Sequence, residues 1–156
     1  MNAVGVDPGI GGGISALTTE GSVLLAVKMP ETDRDLLDLL MDIASKGPCF
    51  AMLEFVASMP GQGVSSVFKF GEGYGKLQMA LCAAGIPFAR VTPAKWQGAL
   101  GCRTGGNKNI SKGRAQELFP SVKCTHAISD SLLLAEYCRR TRNSLSTEHP
   151  PQPQPA

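Results

Sequence analysis

AVGVDPGIGGGISAL, residues 3–17, contains the clearest indication of the architecture of this chain. An apolar run that ends in Asp7 predicts a buried strand, a glycine-rich turn follows, and a second apolar run begins at Ile14. A phosphate-binding glycine loop needs a helix N-terminus directly after it. Because another strand follows here, the stretch favours a metal site at Asp7 over a phosphate cradle and predicts no nucleotide cofactor. The glycines are then expected to form a tight turn that keeps side chains away from Asp7.

The strand and helix signals in the rest of the chain predict an α/β protein. Ser22–Met29 completes an antiparallel meander, and the later apolar runs Cys49–Phe55 and Pro87–Val91 each follow a predicted helix. Because connections between parallel strands are right-handed, the connecting helices are expected on the faces of one sheet. This order is that of the ribonuclease-H-like fold, a mixed five-stranded sheet (antiparallel meander plus parallel strands) flanked by helices. The helices are predicted at Pro30–Gly47, Val64–Gly85, Thr92–Gly101, Ile110–Pro120 and Thr125–Arg142.

The composition is that of a globular domain, with 43% hydrophobic and 18% charged residues among 156. We expect residues 1–142 to form one domain and the proline- and glutamine-rich residues 143–156 to be a disordered tail. The five cysteines are an odd number without a C-x-x-C pair, which favours a reducing compartment over a disulfide framework. No apolar run has the length of a membrane span and no targeting segment is recognised, so we expect no membrane partner.

Charge is distributed unevenly along the chain. Residues 1–94 contain 6 Lys+Arg and 9 Asp+Glu, whereas residues 95–156 contain 9 and 4, so the two parts carry −3 and +5. A basic second part beside a carboxylate-bearing first part predicts that a polyanion lies across the carboxylates. Chance scatter of surface charge is the alternative.

Two acidic residues interrupt predicted buried strands: Asp7 ends the first, and Glu54 lies near the end of the run 49–55. A buried carboxylate is unfavourable unless it is paired, neutralised or bound to a metal. His126 and Asp130 are four residues apart and share one face of the last predicted helix. Such an oxygen-rich set suits Mg²⁺ or Mn²⁺, and two ions about 4 Å apart can act together in phosphodiester hydrolysis. Helix capping, pairing with a lysine and plain solvation are the alternatives for each residue taken alone.

Together these motifs resemble the RuvC-type Holliday-junction resolvases, in particular their compact phage and chloroplast-type branch. The resemblance rests on GVDPGIGGGISA, MLEF, TPAKW, KGRAQELFP and HAISDSLLLA. It implies a homodimeric endonuclease that resolves four-way DNA junctions by paired symmetric nicks, with two Mg²⁺ or Mn²⁺ ions in each active site. Asp7, Glu54 and Asp130 match the family acids. The fourth family ligand stands at Ala127 in the standard pattern, whereas the spacing of the chloroplast-like branch selects His126.

The resemblance also implies positions that contact DNA. Standard bacterial enzymes have a phenylalanine where Ala57 stands here, so Phe68 and Phe70 become the candidates for stacking on junction bases. Packing of both rings in the core is the alternative. By analogy with the family, Lys112 is expected to stabilise charge near the metals. The basic residues expected to bind DNA phosphates, rather than to form a solvated face, are Lys95, Arg103, Lys108, Lys112 and Arg114.

In the family, the helix that contains Gly71 and Gly75 forms the dimer interface, and these glycines are one turn apart, which permits close approach of two copies. A ribonuclease-H-type nuclease on RNA–DNA hybrids and a non-catalytic junction-binding module are the alternative functions. The expected location is the cytoplasm, either associated with the nucleoid or in a phage-infected cell, and an organelle is the alternative.

Overall fold

The computed structural model of the chain describes residues 1–57 and 61–148, with the side chains described up to residue 143. It contains one mixed sheet in the strand order β3-β2-β1-β4-β5. The strands are β1 (Asn2–Asp7), β2 (Gly13–Leu17), β3 (Val23–Lys28), β4 (Cys49–Glu54) and β5 (Phe88–Val91). The pairs β1–β2 and β2–β3 are antiparallel, whereas β1–β4 and β4–β5 are parallel. The predicted meander followed by parallel strands is therefore confirmed.

Five helices connect or follow these strands. They are α1 (Asp33–Ser45), α2 (Val64–Ala83), α3 (Pro93–Ala99), α4 (Lys108–Leu118) and α5 (His126–Glu148). The sequence places the start of α4 at Ile110 and the end of α5 at Arg142, and both limits are wrong. Asn107 caps α4 by accepting a hydrogen bond from the Asn109 amide, so that helix begins earlier. Residues 149–156 of the expected tail lie outside the described residues.

The alternation of side chains along β1 defines the two layers that cover the sheet. Val4 and Val6 face the apolar cluster that α1 and α2 complete. Gly5 faces the opposite side, where α5 lies directly against the strand. A second apolar cluster lies on this side of the sheet and includes residues from α3, α4 and α5, among them Trp96 and Ala115. None of the helices within residues 1–57 and 61–148 combines the length and apolarity that a bilayer span requires.

Two glycines allow the backbone of α5 to approach the sheet. A Cβ atom on Gly5 would lie 2.0 Å from the carbonyl oxygen of Ser131 and 2.2 Å from the amide nitrogen of Ala135. A Cβ atom on Gly13 would lie 2.6 Å from the carbonyl oxygen of Ala127. Because only glycine fits at these positions, the sheet glycines determine how closely α5 packs.

Candidate active site

Asp7 and Glu54 leave the sheet side by side. Val6 pairs with Leu53 in the parallel β1–β4 pair, and Asp7 and Glu54 are the next residues of the two strands. Side chains alternate along a strand, so Asp7 shares the face of Gly5, which is the face covered by α5. Glu54 lies two residues after Met52, which packs in the same α5-side cluster. Strand pairing and alternation thus bring both carboxylates to one edge and one face of the sheet.

The third carboxylate comes from α5. Asp130 lies between Ala127, which contacts Gly13, and Ser131, which contacts Gly5. Its negative charge acts on both Asp7 and Glu54. Its Oδ1 atom is buried and accepts no hydrogen bond from the described residues. A buried carboxylate oxygen without a donor is unusual and indicates a missing partner.

The electrostatics of this edge show an excess of negative charge. Burial, together with the charges of Glu54 and Asp130, raises the pKa of Asp7 to about 7, and the charge of Lys108 opposes this rise. Burial also raises the pKa of Glu54, which is opposed by a hydrogen bond from Trp96 and by the charge of Lys108. The charge of Lys108 thus balances only part of the negative charge of the three carboxylates.

This imbalance predicts a specific pH dependence of stability in the absence of metal. The pKa of Asp7 is about 7 in the folded protein and 3.8 ordinarily, a difference of about 3 units or roughly 4 kcal/mol. A raised carboxylate pKa means that the folded state binds the proton more tightly than the unfolded state does. Protonation of Asp7 therefore stabilises the folded protein fully below pH 3.8, and this stabilisation disappears as the pH rises through 7. In urea unfolding with EDTA, Asp7→Asn should flatten this decline between about pH 4 and 7 and exceed wild type in stability at pH 8.

The exposed Asp38 supplies the matched control for that experiment, because it forms an ion pair with Arg34 at the surface of α1. Asp38→Asn should leave the pH dependence as in wild type. Parallel curves for wild type and Asp7→Asn from pH 4 to 8 would contradict the environment described for Asp7.

The carboxylates fit a divalent cation by chemistry and charge. Oxygen ligands suit Mg²⁺ and Mn²⁺, and a cation would supply the positive charge that Asp7, Glu54 and Asp130 lack. Among residues 1–57 and 61–148, no group of three His, Cys, Asp or Glu side chains is arranged to hold an ion as it stands. One oxygen of Glu54 is engaged with Trp96, at 2.7 Å from the indole nitrogen. The fit therefore rests on the type of donor, the orphaned oxygen and the uncompensated charge.

No protein-family model and no curated protein is matched by this chain. Its structure is similar to that of Thermus thermophilus RuvC, with a TM-score of 0.65 and 16% identity over 92% of this chain and 97% of that one. A structure of T. thermophilus RuvC in complex with a Holliday junction substrate gives a TM-score of 0.62 and 17% identity, over 92% and 96% of the two chains. The chain has the RuvC fold. The expected ribonuclease-H-like architecture is thereby confirmed, while the roles of single residues rest on the geometry described above.

Within the RuvC fold, the predicted acids Asp7, Glu54 and Asp130 come together at one edge of the sheet. His126 is exposed at the first residue of α5. The charged groups that act on Asp7 are Glu54, Asp130 and Lys108. Ligation of a metal by His126 thus stays a prediction.

The lysine that faces the carboxylates in this RuvC fold is Lys108 rather than Lys112. Lys108 begins α4, and its charge lowers the pKa of both Asp7 and Glu54. Lys112 is half-buried, and its charge instead opposes the effect of burial, which raises the pKa of the Cys124 thiol. The sequence-based choice of Lys112 was made by family analogy, and the structure offers Lys108 as the better-placed group.

The other predicted DNA-contacting residues differ in their freedom to bind DNA. Lys95 and Arg103 are exposed. Arg114 donates from Nε to the carbonyl oxygen of Leu100 and forms an ion pair with Glu117, so it also connects α4 to the end of α3. Its guanidinium is therefore less available to DNA than the sequence suggested.

The two candidate aromatic rings occupy different environments. Phe68 is 73% exposed on α2. Phe70 is half-buried and stacked on Tyr74 with 6.0 Å between ring centroids. Phe70 also lies beside Gly9, in the turn that follows Asp7, and lines a cavity of about 790 Å³. The alternative, packing of both rings in the core, is wrong for Phe68.

Proposed function

We propose that this chain is a divalent-metal-dependent DNA endonuclease that resolves four-way junctions. The observation that carries the proposal is the convergence of Asp7, Glu54 and Asp130 at one edge of a RuvC-fold sheet. The similar RuvC structure in complex with a Holliday junction substrate supports branched DNA as the ligand. The basic second part of the sequence supports a polyanionic partner independently.

In this proposal Asp7 is the central ligand, because both other carboxylates act on it. The bound ion or pair of ions would polarise the scissile phosphate and lower the pKa of the attacking water. Asp7 must give up its proton for the cation to bind, so binding is coupled to proton release. Gly12 leaves room for Asp7, since a Cβ atom there would lie 2.1 Å from the Asp7 carbonyl oxygen. His126 remains the candidate for an additional ligand.

Lys108 is proposed to neutralise phosphate charge beside the carboxylates. Replacing it by alanine should lower junction cleavage about tenfold and reduce the salt dependence of binding by about one unit of log–log slope. The measurement is a salt titration of junction affinity together with single-turnover cleavage. Lys112→Ala tests the family analogy, and a larger loss in Lys112→Ala than in Lys108→Ala would contradict this assignment. Lys46→Ala, directly after α1 where Lys46 pairs with Asp42, is the control and should match wild type.

We further propose a homodimer formed through α2. Exposed apolar or small residues recur along this helix at spacings of three and four, which places them on one face. These residues are Val64, Phe68, Gly71, Gly75 and Met79. A Cβ atom on either glycine would meet no other atom within 4 Å, so this face is open in the single chain. Phe68 then contributes to the interface, whereas Phe70, beside the turn after Asp7, is the better candidate for stacking on a DNA base.

A charge on this α2 face should abolish the dimer. Met79→Glu is expected to give a monomer at concentrations where wild type is a dimer, because a carboxylate would be buried against the second copy. Light scattering after size exclusion measures the mass. Met41→Glu is the matched control, since Met41 is 53% exposed on α1 and Met79 is 64% exposed. Equal masses for the two variants would contradict the α2 interface.

The substrate is tested by incubating the protein and Mg²⁺ with three DNAs of related sequence: a four-way junction, a linear duplex and an RNA–DNA hybrid. We expect paired symmetric nicks in the junction and intact duplex and hybrid. Cleavage of the hybrid with the junction left intact would instead identify a ribonuclease-H-type enzyme. Tight junction binding without nicks would identify a non-catalytic binding module.

A further inference from the structure

Trp96 forms a hydrogen bond that its sequence context does not reveal. The indole is fully buried in the cluster beneath α3, α4 and α5, and its Nε1 donates to Oε2 of Glu54 at 2.7 Å. A buried indole N–H needs an acceptor, and here the acceptor is a carboxylate of the candidate metal site. This contact joins α3 to the end of β4.

The backbone of Glu54 is fixed separately. The hydroxyl of Tyr74, on α2, donates to the carbonyl oxygen of Glu54 at 3.2 Å. The amide of the next residue, Phe55, donates to the carbonyl oxygen of Val91 at 2.7 Å. The end of β4 is thus held by α2 on one face and by β5 at its side. What these contacts do not restrain is the rotation of the long Glu54 side chain.

Trp96 is itself rigidly placed. Pro93 occupies the first turn of α3, whose backbone is closed by the bond from the Trp96 amide to the carbonyl oxygen of Thr92. The indole packs in the same cluster as Val91 and Leu100. A donor held in this way restricts its acceptor to one orientation.

We propose that Trp96 is a positioning residue for Glu54. By engaging Oε2, the indole N–H fixes the side-chain torsions of Glu54 and leaves Oε1 to bind the divalent cation. This inference rests on the proposed function, because it assumes that Glu54 is a metal ligand. Removing the hydrogen-bond partner of a metal ligand typically lowers metal affinity or activity 10–100-fold.

The first test needs no nuclease activity. Trp96 is the single tryptophan of the chain, so the protein has one indole N–H signal in a ¹H–¹⁵N spectrum. Glu54→Gln and the titration of wild type with Mg²⁺ should both shift that signal, while Asp38→Asn should leave it in place. An indole signal that responds to neither Glu54→Gln nor Mg²⁺ would overturn the proposal, whether or not the protein cleaves junctions.

The second test removes only the donor. Trp96→Phe keeps an aromatic ring, and replacement of the single tryptophan by benzothienylalanine exchanges the N–H for sulfur at nearly constant shape. In each, the Mg²⁺ concentration for half-maximal cleavage should rise about 10–100-fold, with junction affinity unchanged and the rate restored by excess Mg²⁺. Phe119→Leu, which trims another ring of the same cluster, should leave the Mg²⁺ requirement as in wild type. An unchanged Mg²⁺ requirement in the benzothienylalanine protein would overturn the role of Trp96, whereas failure of wild type to nick would overturn the proposed function instead.

Discussion

Asp7→Asn is expected to abolish junction nicking while leaving junction binding intact. The negative charges of Glu54 and Asp130 both act on Asp7, and the pKa of Asp7 is raised to about 7. A bound cation would therefore stabilise the ionised form of Asp7. Losing several kcal/mol of charge stabilisation in the transition state lowers the rate roughly 10³-fold. Removing a negative charge beside DNA phosphates should leave binding equal to wild type or slightly tighter.

The measurement combines single-turnover cleavage in Mg²⁺ with junction binding in EDTA. Asp38→Asn, an equally conservative change at an exposed ion pair on α1, should cleave like wild type. Nicking by Asp7→Asn within tenfold of wild type would contradict the catalytic role of this edge. Loss of binding together with nicking would show that the variant fails for a structural reason.

The second large effect is expected from Gly5→Ala, which adds a single methyl group. That carbon would lie 2.0 Å from one backbone atom of α5 and 2.2 Å from another, at Ser131 and Ala135. Neither atom can rotate away, so α5 must move off the sheet. Because α5 packs along β1 and provides Asp130, we expect a loss of at least about 4 kcal/mol in the free energy of unfolding, a large part of a typical domain's stability.

Chemical denaturation measures this loss, and Gly11→Ala is the matched control. A Cβ atom on Gly11 would meet nothing within 4 Å, so the same substitution six residues later should change stability by no more than about 1 kcal/mol. A folded Gly5→Ala protein within 1 kcal/mol of wild type would show that α5 does not rest on β1 in the way described.

The position of Asp7 and Glu54 at one edge of the sheet could be predicted because the ends of apolar strands can be recognised in the sequence. Asp7 ends one apolar run and Glu54 lies near the end of another, and a carboxylate at the end of a buried strand differs from its apolar surroundings. The helical spacing of the last segment brought Asp130 into consideration. Parallel pairing of β1 with β4 then follows from the order of the elements, and it is this pairing that brings the two strand ends together.

Other features depend on tertiary contacts that no local pattern encodes. Gly5 looks like an ordinary small residue in an apolar strand, and its function appears only once α5 lies against it. Lys108 was placed before the predicted start of α4, and the Asn107 cap brings it into the first turn. The ring of Trp96 packs in the core as an apolar residue does, but the partner of its N–H is 42 residues away in sequence.

The most direct test of the metal-dependent active site is anomalous diffraction from crystals grown with Mn²⁺. We expect Mn²⁺ bound by the carboxylates of Asp7, Glu54 and Asp130, at about 2.0–2.6 Å from their oxygens, and no such ion in Asp7→Asn crystals grown under the same conditions. Saturating Mn²⁺ that leaves these three carboxylates without an anomalous peak would contradict the central claim.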